Sequence, residues 1–88
     1  MRKVYKYVLP IDDHLTIPLP QGAEILKVDT QAGIPCMWAL ANPEKPSEVR
    51  RFRFAGTGHP IEEENLKFID TFQMDSGSLV FHFFEIIK

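Results

Sequence analysis

One cysteine, Cys36, stands in a chain of 88 residues. An internal disulfide is therefore excluded, as is a zinc site built on paired thiolates, and the usage fits a reducing compartment. No apolar run approaches the about 20 residues needed to span a bilayer. The start, Met1-Arg2-Lys3-Val4-Tyr5-Lys6, is basic but lacks the apolar stretch of a signal peptide, so the protein is expected to stay in the cytoplasm where it is made, away from membranes. Basic excess is missing too: 10 Lys and Arg face 12 Asp and Glu, a net charge of −2, which argues against bulk affinity for nucleic acid. The three histidines, His14, His59 and His82, are scattered, without zinc spacing. No pair of carboxylates and no nucleophile–base–orienter set stands out, so neither an enzyme nor a resident metal or cofactor is expected.

Turn chemistry, by contrast, is abundant. Seven prolines and five glycines cut the chain into short apolar stretches, most of period two. Val4–Leu9 reads as a first strand, and Leu15, Ile17 and Leu19 as an edge strand, because Pro18 donates nothing to a ladder. Glu24–Asp29 follows, then a break at Ala32-Gly33. Ile34–Leu40 is expected to be central, with Ile34, Cys36, Trp38 and Leu40 on one face and Cys36 and Trp38 in the core. Val49–Ala55 alternates strictly, Phe52 and Phe54 against Arg51 and Arg53. Ile61–Asn65, after Pro60, is read as one acidic helical turn. Leu66–Met74 is interrupted at Asp70, and Asp75-Ser76-Gly77 turns the chain into Leu79–Ile87. That last stretch is apolar on both faces apart from His82 and Glu85, so it is expected in mid-sheet or under a partner. The sum is one all-β domain, or a β-dominated α+β one, folded as a small antiparallel sandwich or barrel of about seven strands. A chain this short buries only about 60–65% of its unfolded surface, which makes a homo-oligomer, first a dimer, the expected state.

The chemistry concentrates at Arg50-Arg51-Phe52-Arg53-Phe54 and the loop Gly56-Thr57-Gly58-His59 beyond it. Alternation sets the Arg51 and Arg53 guanidinium forks side by side, each able to clamp a phosphate or carboxylate. The glycines let backbone amides approach an anion, and Thr57 and His59 add donors. Arg51, Arg53, Thr57 and His59 are therefore the candidate ligand-binding residues, for a small anionic, nucleotide-like molecule, and neither arginine is expected to support the fold. The competing reading makes the arginines a solvated face paired with Glu48, Glu62, Glu63 or Glu64. Phe52 and Phe54 fall on the opposite face and cannot stack bases beside the arginines, a second argument against nucleic acid.

Val4-Tyr5-Lys6-Tyr7, Gly33-Ile34-Pro35-Cys36-Met37-Trp38-Ala39-Leu40, Gly56-Thr57-Gly58-His59-Pro60-Ile61, Phe68-Ile69-Asp70-Thr71-Phe72-Gln73 and Leu79-Val80-Phe81-His82-Phe83-Phe84-Glu85 resemble stretches of a family of short bacteriophage and prophage proteins. The resemblance runs through nearly the whole chain but brings no settled activity, so no functional residue transfers. It implies a phage-encoded protein, acting in the cytoplasm of an infected or lysogenic bacterium or packaged in a virion. Such proteins are often accessory factors that blunt host defence by sequestering a nucleotide signal or binding a host protein. Two roles follow as expectations: capture of a small anion, or a protein–protein or virion structural role without a small ligand.

Overall fold

The computed structural model describes residues 1–87, and among them seven strands make two antiparallel sheets. The strands are β1 (Lys3–Val8), β2 (His14–Pro20), β3 (Glu24–Gln31), β4 (Ile34–Ala41), β5 (Ser47–Gly56), β6 (Leu66–Met74) and β7 (Leu79–Ile86). The smaller sheet has the order β1-β4-β3 and the larger β2-β5-β7-β6. They pack face to face as a small sandwich. Turn residues explain the connections: Ala32 (φ 52°) and Gly33 (φ 79°) both take the left-handed conformation of a two-residue hairpin between β3 and β4. The proline-bearing β2 lies at a sheet edge, and the two-sided apolar β7 lies between β5 and β6, as their compositions require.

The core is aromatic on the larger sheet and aliphatic on the smaller. Phe52, Phe54, Phe72 and Phe83 meet Val28, Met37 and Ala41. Phe52 stacks on Phe83 with centroids 5.2 Å apart, and Phe54 turns its edge to Phe83 and Phe72 at 5.1 and 5.6 Å. Each such ring stabilises the fold by about 1.5–3 kcal/mol through burial, before the aromatic geometry is counted.

Polar contacts also fasten the layers. Arg50 shares the inner face with Phe52, and its fork takes both oxygens of Glu85 on β7 (2.7 and 2.8 Å). Its third contact, 2.6 Å to the Ala23 carbonyl, reaches the turn that starts β3. The Glu85 hydrogen bonds raise the pKa of this already permanent cation. At the β3–β6 seam the interruption expected at Asp70 is a bulge between Phe68 and Asp70. It aims Asp70 Oδ2 at the edge amide of Val28, 3.0 Å away, which satisfies a strand-edge donor.

Two expectations are corrected. Ile61–Asn65 forms no helical turn; it is irregular chain that bends at Glu64 and Asn65 into β6, and among the described residues the one 3₁₀ turn is Asp75–Gly77. Of the three carboxylates of 62–64, Glu63 is used for tertiary contact rather than for capping. On β4 the core face is Met37, Ala39 and Ala41, while Cys36, Trp38 and Leu40 alternate onto the outer face. Cys36 is buried there, but Trp38 is only half-buried. With both faces apolar, size decides: Ala39 leaves room for Tyr5, its register partner.

Phe52→Ala is expected to lower the unfolding free energy by about 3–5 kcal/mol, because the ring is fully buried. Phe68→Ala, at a ring 57% exposed, is expected to cost under about 1 kcal/mol. Chemical denaturation of the two variants checks the difference.

Candidate functional site

The antiparallel register sorts the outer face of the larger sheet into rows that cross all four strands. One row runs Thr16, Arg51, Ile86, Leu66, and the next His14, Arg53, Phe84, Phe68. Adjacent strands are about 4.8 Å apart, and successive same-face residues about 6.6 Å. Arg51 and Arg53 are thus neighbours on one face, as alternation predicts. The rings beside them belong to β7 and β6: Phe84 adjoins Arg53, and Phe68 meets Phe84 edge-on at 5.7 Å. Phe52 and Phe54 do lie on the opposite face, but the aromatic partners of the arginines come from strands distant in sequence. Arg51 is exposed, and among the described residues its guanidinium has neither a hydrogen bond nor an ion pair.

Arg53 behaves differently. Although it sits on the outer face, it is only 7% exposed, because residues 57–65 cross over it as a strap. Its Nε donates to Glu63 Oε1 (3.1 Å), Nη2 to the Pro60 carbonyl (2.9 Å), and Nη1 to the carbonyls of Phe54 and Asp13. Four of the five N–H groups of the fork are thereby engaged within the chain. The expectation that Arg53 is idle in the fold is therefore corrected: it pins the strap. The other oxygen of Glu63 lies 2.5 Å from His14 Nε2. Around this clamp is a recess of about 340 Å³ lined by Asp13, His14, Arg53, His59, Pro60, Glu62 and Glu63.

Thr57 and His59 belong to the start of the strap. Thr57 Oγ1 hydrogen-bonds His82 Nε2 (2.7 Å), and Thr71 Oγ1 holds the other ring nitrogen (2.9 Å). The His59 ring lies over Gly56, where a Cβ would come within 3.0 Å of it, and Gly58 takes φ +88°, so both glycines are needed for this path. Thr57 and His59 line a second recess of about 310 Å³ with Leu79, Val80 and Phe81. The four candidate residues thus do not close on a single cavity. Arg51 is on the open sheet, Arg53 under the strap, Thr57 tied to His82, and His59 between the two recesses.

Sequence reasoning missed the tertiary roles of His14, Glu63 and His82, the last of which faces outward. Period two does place His82 with Val80 and Phe84; nothing local distinguishes Glu63 from Glu62 and Glu64. The chain Thr57–His82–Thr71 is a hydroxyl–imidazole–hydroxyl array. It orients the ring but carries no carboxylate to stabilise an imidazolium, so it lacks the third element of a nucleophile-activating triad. Among the described residues no group of three or more His, Cys, Asp or Glu is arranged to hold a metal ion, and no helix is long and apolar enough to cross a membrane.

The chain belongs to the family described as a domain of unknown function (DUF7352), which it matches over residues 1–88. Comparison with the curated proteins and with the solved structures gave no match.

The clamp sets a pH dependence. The His14 hydrogen bond and then a backbone hydrogen bond lower the Glu63 pKa from 4.5 to about 2; burial opposes them, and Arg53 adds to the lowering. Because the folded-state value is depressed, the stabilisation is fully present above pH 4.5 and is lost as the pH falls through about 2. Relative to the unfolded chain at the same pH, hydrogen exchange across 57–65 is expected to quicken as the pH falls over that window in the wild type. In Glu63→Gln it should be fast throughout, and Glu64→Gln should follow the wild type.

Proposed function

We propose that the protein is a non-enzymatic binding module that captures a small anionic, nucleotide-like ligand on the outer face of the β2-β5-β7-β6 sheet. The observation that carries this reading is the division of that face. Its β5 side bears Arg51, exposed and unengaged among the described residues, and its β7–β6 side bears Phe84, Phe68, Ile86 and Leu66. A molecule with a planar ring and a phosphate has the matching halves: the ring stacks on the phenylalanines, and the phosphate meets the guanidinium fork bidentately. Thr57 and His59 stand beyond the Arg53 row, where they would contact a ligand reaching past the strap. The motif likeness to phage and prophage proteins supports an accessory role against host defence, exercised in the bacterial cytoplasm.

A second reading, self-association through the same face, is favoured by its exposed apolar side chains, Phe68 at 57% and Val49 at 68%. The molecule is a slab of 39 × 31 × 16 Å. A broad face of that size exceeds the about 800 Å² that each partner gives to a standard interface, so one face can serve a two-fold dimer.

A thermal-shift series with cyclic and linear mononucleotides tests the first reading. A ligand at 100 times its Kd adds about 2.7 kcal/mol, hence a rise of roughly 10 °C or more for a domain this small. Arg51→Ala is expected to weaken binding about tenfold, close to 1.4 kcal/mol, without lowering the Tm of the free protein. No shift with any nucleotide, together with dissociation of a dimer by Phe68→Glu in sedimentation, would transfer the function to the second reading.

A further inference from the structure

Arg53 and Glu63 present an arrangement that neither a solvated face nor a simple ion pair explains. Residues 57–65 cross the sheet with thin apolar anchorage: none is buried, and the one large apolar side chain among them, Ile61, is 39% exposed. The strap is therefore held down by polar contacts centred on one carboxylate, which Arg53 and His14 grip from two sides at 3.1 and 2.5 Å. Segments held in this way, with little buried apolar surface, open at low free-energy cost. The pivots are at hand as well, with Gly56 and Gly58 at one end and, at the other, the Asn65 carbonyl fixed by the amide of Ile87 (2.9 Å).

We infer that Arg53 and His14 form an oxyanion site which Glu63 fills as an internal surrogate, and that residues 57–65 are a displaceable strap giving way to a phosphate or carboxylate of the ligand. This rests on the anion-capture reading and specifies its site. Charge explains why such a strap matters. Closed, it lays Glu62, Glu63 and Glu64 along the edge of the face, and the recess holds Arg53 against Asp13, Glu62 and Glu63. Open, the three glutamates leave together, and Arg51, Arg53 and His14 stand in adjacent rows on the same side of the sheet. Strap movement thus converts a locally acidic edge into a basic one, and two forks about 6.6 Å apart along β5 then suit adjacent oxyanion groups. The titratable groups facing the clamp are Asp13, His14, His59 and Glu62. His14 alone among them touches Glu63, and the permanent cation of the clamp is the Arg53 fork.

Inorganic phosphate is the probe, titrated into the folded protein at neutral pH and followed by amide NMR shifts of residues 51–65. Glu63→Gln is expected to bind phosphate at least tenfold more tightly than the wild type, because no internal carboxylate competes. Glu64→Gln should match the wild type. Adding Arg53→Lys to Glu63→Gln should abolish the gain while keeping a cation in place, since a point charge does not reproduce the fork. Equal phosphate affinity in wild type and Glu63→Gln, or a gain that survives Arg53→Lys, would overturn the inference. A mononucleotide shift of the wild-type Tm that depends on Arg51 decides the broader reading separately, so the strap can fail while anion capture stands.

Discussion

The stack of Phe52 on Phe83 fixes the register of β5 against β7, and the character of both faces of the larger sheet depends on it. In an antiparallel pair a slip by one residue exchanges the faces. Here it would drive Arg51 and Arg53 into the aromatic core and expose Phe52 and Phe54. The penalty for burying two unpaired guanidinium groups, added to the loss of ring burial, is far above the about 5–15 kcal/mol that stabilises a whole domain. Only one pairing survives, and it gives the outer face its rows. The arrangement of cations beside apolar rings is thus a by-product of the way the inner face is packed.

Three arginines within four residues then meet three environments. Arg50 turns inward and is neutralised by Glu85 where the layers join. Arg51 points to water. Arg53, two residues further on the same face as Arg51, is covered by the strap. Partners that are far away in sequence make these distinctions: Glu85, Ile86 and Phe84 on β7, and Glu63 beyond the Gly56–Pro60 turn. The same side chain therefore serves as a layer bolt, an open fork and a latch within one strand.

This also marks what is legible in the sequence. The strands, the edge position of β2, the interior position of β7 and the irregularity at Asp70 follow from local rules: proline placement, period, and a carboxylate interrupting an apolar run. The outer-facing side of β4 does not, since Ile34 to Ala41 is apolar on both faces and the choice rests on how Ala39 accommodates Tyr5, its neighbour on β1. The irregular path of 61–65 does not either. Pro60 with Glu62, Glu63 and Glu64 soon after it is a good start for a helix, and the grip of Arg53 and His14 on Glu63 holds the chain out of one. Of the candidate site, the shared face of Arg51 and Arg53 was readable from alternation. The aromatic neighbours and the surrogate carboxylate were not, because both arise from long-range pairing.

The Asp70 bulge has a consequence for how copies of this chain can join. Each open sheet has two flanks where a foreign strand could add by main-chain pairing. Asp70 takes up the Val28 amide where the flanks of β3 and β6 meet, and Pro18 and Pro20 remove donors from β2. What is left is β1, which pairs with β4 on one side only and carries Lys3 and Lys6. Adding a second chain there would set lysines against the incoming strand, so polymerisation in the plane of the sheets is disfavoured, and association is steered to the broad faces.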